Sequence, residues 1–337
     1  MTKRKRASKV HGHDWPSDHP ARIQTLRQMS GRLPFHERYL AGEFGQVWAE
    51  LRASGEAIWY DPLAADALAV AFEIMDRARM NIETILRRLE AAGYQFHPEV
   101  FSPYWRTSHA DEAMASMFGR QLQEMIISLE SPMLLPPELE QQREQFLARR
   151  VQQLASTRSK AIAAQERCEG LVRPMMAADP LTAIWIKRVV KTGGEIPLAL
   201  RAWHATLGGV NLVGNHPDIA PLGIECDPLF VAPFQFVLDA CQAWAEENVE
   251  EGESPPFQML VSPNRAAKAG GSPETPLYTV TLPQASLDAI IENEPHGLHF
   301  VDYLRLAFEW GGFPGYAATP ATVPKLIESL KEGLLPI

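Results

Sequence analysis

Cysteine is scarce: Cys168, Cys226 and Cys241 are the only three in 337 residues. None forms a C-x-x-C pair, and none sits near a histidine at metal-ligand spacing. A disulfide framework is therefore excluded, and free thiols in a reducing, cytoplasmic compartment are expected. Long hydrophobic runs are missing as well. No stretch of about 18 residues is uninterruptedly apolar, so no membrane span is expected. The opening MTKRKRASK is basic, but no apolar stretch follows it, so it does not read as a secretory signal. KRKR reads as a solvated tail, with a nuclear address or an anion contact as alternatives. Catalytic signatures are lacking too. KAGG at 268–271 offers backbone amides and a lysine, the ingredients of a phosphate nest. A P-loop needs the order G-x-x-x-x-G-K-[ST] between strand and helix. Here the order is wrong and a strand follows, so a hairpin loop is expected.

What is present is ordinary globular material, 46% hydrophobic and 22% charged. The length suggests about two domains. Charge is uneven. Residues 1–190 carry 25 basic against 23 acidic side chains, whereas residues 191–337 carry 7 against 18. Such a field repels nucleic acid and attracts basic proteins.

Residues 1–34 read as a mostly irregular basic lead-in, and residues 35–190 as an α-helical region. Asp61-Pro62 is a helix start. Leu68, Phe72, Met75, Ile82, Ile85, Leu86 and Leu89 follow at three- and four-residue steps, and Gly93 supplies the stop. This predicts a helix of about 30 residues, roughly 45 Å long. Further helices are expected over 111–130 and 137–167, the latter polar enough to be exposed or to serve as a self-association arm. From about 191 the texture changes to mixed helix and strand. Pro197 opens a helix carrying Leu200, Trp203 and His204, ended by Gly208-Gly209. Strands are expected at 210–213, 228–232, 257–261 and 277–282, and helices at 234–248, 285–293, 298–310 and 324–331. Strands without regular strand–helix alternation argue for an α+β fold with a small, mainly antiparallel sheet.

IPLALRAWHATLGGVNLVG, with Ile196-Pro197, Trp203, Gly208 and Gly209, resembles the opening of an SMI1/KNR4-like domain of the SUKH superfamily. DPLFVAP at 227–233 resembles a following strand. FQMLVSP and LYTVTLP, on either side of Lys268 and Gly270-Gly271, resemble the central hairpin. FVDYLRLAFEWGGFPG, with Gly311-Gly312, is similar to the closing helix of uncharacterised bacterial proteins related to that superfamily. RARMNIETILRRLEAAGYQF near 77–96 is similar to their helical part. The resemblance covers about residues 195–316. It implies an α+β domain over 191–337, no catalysis and no cofactor, because members are mostly binding proteins, among them toxin-neutralising immunity proteins and regulatory scaffolds.

The candidate contact surface is acidic. Glu246, Glu247, Glu250, Glu251 and Glu253 fall within AWAEENVEEGES, with Asp218, Glu225 and Asp227 as an extension. Acidic residues at a helix C-terminus oppose the macrodipole, so they are not there to stabilise that helix. The expected partner is a basic protein such as a toxin domain, with homo-oligomerisation left open. Gly208, Gly209, Gly311 and Gly312 are expected to be structural turns. The alternative is a metal- or His-dependent hydrolase. It would use His204, the cluster HGHDWPSDH with His11, His13 and His19, or the pair His296 and His299.

Overall fold

Asp18 accepts a hydrogen bond from the Ala21 amide at 3.1 Å and so caps helix α1 (His19–Ser30), with Pro20 in its first turn. The expected irregular lead-in is thus helical over its second half, because Ile23 and Leu26 find a core to enter. The computed structural model describes residues 15–16, 18–60, 62–96, 174–219, 226–248, 255–268, 276–320 and 323–337. The helices expected at 111–130 and 137–167 lie outside the described residues.

Helices α2 (Pro34–Leu40) and α3 (Phe44–Ala53) and a 3-10 turn (Gly55–Trp59) lead into α4 (Leu63–Ala91). Helix α4 is 29 residues long, as its periodicity predicts, and Pro62 stands at its cap. Asp66 of α4 accepts the Phe35 and His36 amides at 2.8 and 2.9 Å, capping α2 from a distant point in the chain. Gly93, at φ +81°, ends α4. Tyr94 then folds back and donates to the Leu212 carbonyl at 2.7 Å.

After β1 (Gln95–Phe96), the described chain resumes with β2 (Met175–Ala177), α5 (Thr182–Gly193), α6 (Leu198–Thr206), β3 (Leu207–Asn211) and β4 (Gly214–Asn215). There follow β5 (Phe230–Val231), α7 (Phe234–Glu247), β6 (Phe257–Ser262), the short α8 (Arg265–Lys268) and β7 (Tyr278–Leu282). Helix α9 (Phe300–Glu309), a 3-10 turn (Pro314–Ala318) and α10 (Lys325–Lys331) close the chain. Among the described residues all strand pairings are antiparallel: β1 with β4, β3 between β2 and β5, and β6 with β7. The fold is α+β, as the pattern of elements predicts.

Two local expectations are corrected. Gly208 and Gly209 do not form a turn but lie inside β3. A Cβ on Gly208 would sit 2.1 Å from the Ala177 carbonyl oxygen, and one on Gly209 would sit 2.9 Å from the Pro233 ring. Their glycines serve close packing of β3 on β2 and on the start of α7. Gly311 and Gly312 do form a turn, at φ +60° and +95°. The Gly312 amide bonds back to the Ala307 carbonyl at 2.7 Å.

The helix expected at 285–293 is absent. That segment bends at 286–288 and pairs only through isolated bridges: the Ser286 and Leu287 carbonyls accept the first amides of α6 at 3.0 and 2.8 Å, and Ile291 and Glu292 pair with Leu298 and Thr279. Leu287, Asp288, Ala289 and Ile291 are buried while Ile290 is exposed.

Position 190 falls within α5. Residues on both sides share one core, in which α4 packs on α6. Arg22 of α1 donates to Thr206 at 2.6 Å, Trp48 of α3 to Asp288 at 3.3 Å, and Arg52 to Asp302 at 2.8 Å. Trp203 meets Phe300 edge-on at 5.5 Å within this core. Among the described residues, no helix is long and apolar enough to cross a membrane.

Candidate functional site

The acidic stretch begins on α7. This helix buries Phe234, Val237, Leu238 and Cys241 against α5 and β6. Burial pushes the Cys241 thiol up to about 11, so it is an inert core group. The last turn of α7 carries Glu246 and Glu247, both exposed, and no basic residue. Asn248 ends the helix, its side-chain amide donating to the Trp244 carbonyl at 2.7 Å. Neither glutamate forms an ion pair with a described residue. Glu225, Glu250, Glu251 and Glu253 lie outside the described residues.

Asp218 is exposed, but on the turn after β4, where its amide donates to His216 Nδ1 at 3.1 Å. Strand β4 pairs with β1, whereas α7 packs on α5 and β6. Different elements therefore hold Asp218 and the two glutamates.

Asp227 does not belong to the surface at all. Its Oδ1 accepts a hydrogen bond from Lys268 Nζ at 2.7 Å, and both side chains are almost wholly buried. The lysine ammonium also lies 3.4 Å from the Tyr303 hydroxyl and over the Tyr278 ring at 5.3 Å. A charge buried this deeply requires its counter-charge, and Asp227 is spent on Lys268. Asp227 holds φ +40°, an uncommon conformation for a non-glycine residue, which the pairing over-determines. Burial, with Asp227 next to it, pushes the neighbouring Cys226 thiol up to about 11. The lysine of KAGG is therefore a core residue; Gly270 and Gly271 lie outside the described residues.

The histidines separate into structural roles. His204 is fully buried at the end of α6, its ring edge-on to Phe234 at 4.8 Å. Burial lowers its pKa to about 3, so the imidazole is neutral across the physiological range. His19 opens α1 and contacts Glu73 at 2.9 Å, with His36 3.6 Å and Arg77 2.8 Å from the same carboxylate. Burial pushes the Glu73 carboxyl up, but the contacts from His19, His36 and Arg77 outweigh it and hold the group well below the ordinary range. The cluster fastens α1 and α2 to α4. His11 and His13 lie outside the described residues. His296 is exposed, and His299 Nδ1 lies 4.0 Å from Asp302, which Arg52 and Arg305 already engage. Among the described residues no group of three or more His, Cys, Asp or Glu side chains is arranged to hold a metal ion.

Sequence reasoning missed Asp288. It is fully buried and accepts hydrogen bonds from Trp48 Nε1, the Ala289 amide and the Val301 amide, at 3.3, 3.0 and 3.2 Å. Burial pushes its carboxyl up to about 7. The only signal in the sequence is a lone carboxylate within the apolar run LDAII. Against known proteins, no family model, curated protein or solved structure matches this chain.

Proposed function

We propose that this protein is a non-catalytic binding module, akin to SMI1/KNR4-like immunity or scaffold proteins, that docks a basic protein through the acidic end of α7. The observation that carries the reading is the pair Glu246 and Glu247. Both are exposed, unpaired among the described residues, and set where the helix dipole disfavours them. Carboxylates kept at a cost to their own helix are explained by an external cation. The excess of 18 acidic over 7 basic side chains in residues 191–337 adds a field that steers such a partner. The hydrolase alternative has less support, since His204 is sealed in the core and His19 is engaged with Glu73.

The test is affinity capture from a lysate at low and high salt, with the wild-type chain and a variant carrying Glu246→Gln, Glu247→Gln, Glu250→Gln and Glu251→Gln. The expected result is a basic protein held at low salt, released at high salt, and lost with the variant. A partner retained unchanged by the variant overturns the reading.

A further inference from the structure

Helix α5 faces two ways. Thr182, Ile186, Val189 and Gly193 are buried, and at 100° per residue they lie on one side. Leu181, Ile184, Arg188 and Lys191 form a stripe on the opposite side, at steps of three and four residues, and all four are exposed. Leu181 and Ile184 leave 49% and 46% of their surfaces in solvent. Met176, on β2 just upstream, is exposed as well. Arg188 and Lys191 form no ion pair with a described residue. An apolar half followed by a basic half is a face that the described residues leave exposed, with a built-in polarity.

That face lies on the helix against which α7 packs. One pair of neighbouring helices therefore carries two cations on α5 and two carboxylates on α7 that form no ion pair with a described residue. No ion pair joins Arg188 or Lys191 to Glu246 or Glu247. Both can be satisfied at once by a two-fold arrangement, in which the α7 end of each copy meets the α5 face of the other. The apolar residues Leu181 and Ile184 then supply the dry centre, and the charges set the register.

We propose that the partner of the α7 end is a second copy of this chain, which is acidic as a whole but receives the two glutamates locally on the stripe Leu181, Ile184, Arg188 and Lys191. The proposal rests on the docking role of Glu246 and Glu247 and names what they dock.

The full-length chain is measured by sedimentation equilibrium at about 10–200 µM, in about 20 mM and about 500 mM salt. A concentration-dependent dimer that weakens with salt is expected. Ile184→Glu, on an exposed position that leaves the core untouched, weakens it at least about tenfold. Arg188→Glu with Lys191→Glu, and separately Glu246→Lys with Glu247→Lys, each give monomers. Mixing these two charge-reversed chains restores a dimer containing one of each. A wild-type chain that stays monomeric at the top concentration in low salt overturns the proposal, as does a dimer indifferent to Ile184→Glu or a mixture that fails to pair. If the chain is monomeric and the capture experiment still yields a basic protein lost with the glutamine variant, the docking reading survives and only the identity of the partner falls.

Discussion

Lys268 and Asp227 form an ion pair at 2.7 Å inside the core, 41 residues apart in sequence, with Tyr278 and Tyr303 around the ammonium. The pair ties the segment before β5 to the helical turn between β6 and β7. Removing one partner leaves the other charge buried and alone. Asp227→Ala or Lys268→Met should each destabilise the fold by about 3–5 kcal/mol. Replacing both by apolar residues should cost clearly less than the two single effects added. Urea unfolding of the two single variants and the double variant measures this. Additive losses would show that the two charges do not depend on each other.

Asp288 makes stability pH-dependent. Its folded-state pKa is raised from the ordinary carboxylate range to about 7 by burial. The folded protein therefore holds a proton that the unfolded chain releases near pH 4. The stabilisation is complete below that value and is lost as pH rises towards 7. Asp288→Asn keeps a neutral side chain at every pH. The unfolding midpoint of the wild type relative to this variant should fall between pH 4 and 7 and level off above. Parallel profiles for the two chains would mean that Asp288 is already ionised in the fold. Glu73, held in the opposite direction, contributes stability that disappears at acid pH in both chains and cancels from the comparison.

Glycine positions should respond to the space around them. Gly208→Ala drives a methyl group into the Ala177 carbonyl and should cost about 1–3 kcal/mol or open the β2–β3 pairing. Gly45, in the first turn of α3, has nothing within 4 Å of the added carbon and no positive φ. Gly45→Ala should be neutral or stabilising by up to about 1 kcal/mol. Thermal unfolding of both variants decides; equal losses would remove close packing as the reason for Gly208.

Neutralising the α7 end should separate stability from binding. Glu246→Gln with Glu247→Gln removes two charges that oppose the helix dipole, and the fold should gain about 0.3–1 kcal/mol. Partner binding should fall in the same variant. A loss of stability in calorimetry would instead assign the glutamates a structural role.

The element types were largely legible in the sequence because they follow from local rules. The spacing from Leu68 to Leu89 with Gly93 as a stop specifies α4, and the apolar runs at 257–261 and 277–282 specify a hairpin. The acidity of the 246–253 stretch is likewise visible in one dimension. The segment at 285–293 departs from its local helical signals because its backbone groups are claimed by partners distant in sequence: its carbonyls cap α6 and its amides reach residues 298 and 279. Whether a polar side chain is buried cannot be read from neighbours in sequence either. Asp218 and Asp227 look alike there, yet one is exposed and the other faces Lys268 in the core.

By itself the sequence determined the period of each helix, the stops at Gly93 and Gly311-Gly312, and the charge of each half. These depend on contacts within a few residues or on composition alone. Only the tertiary structure decided that the helical part and the mixed part share one core, that Asp227 and Lys268 neutralise each other, and that Asp288 is sealed from water. Each is a matter of burial and pairing between residues tens to hundreds of positions apart, brought together only when the apolar faces of α3, α4, α6 and α9 close on one another.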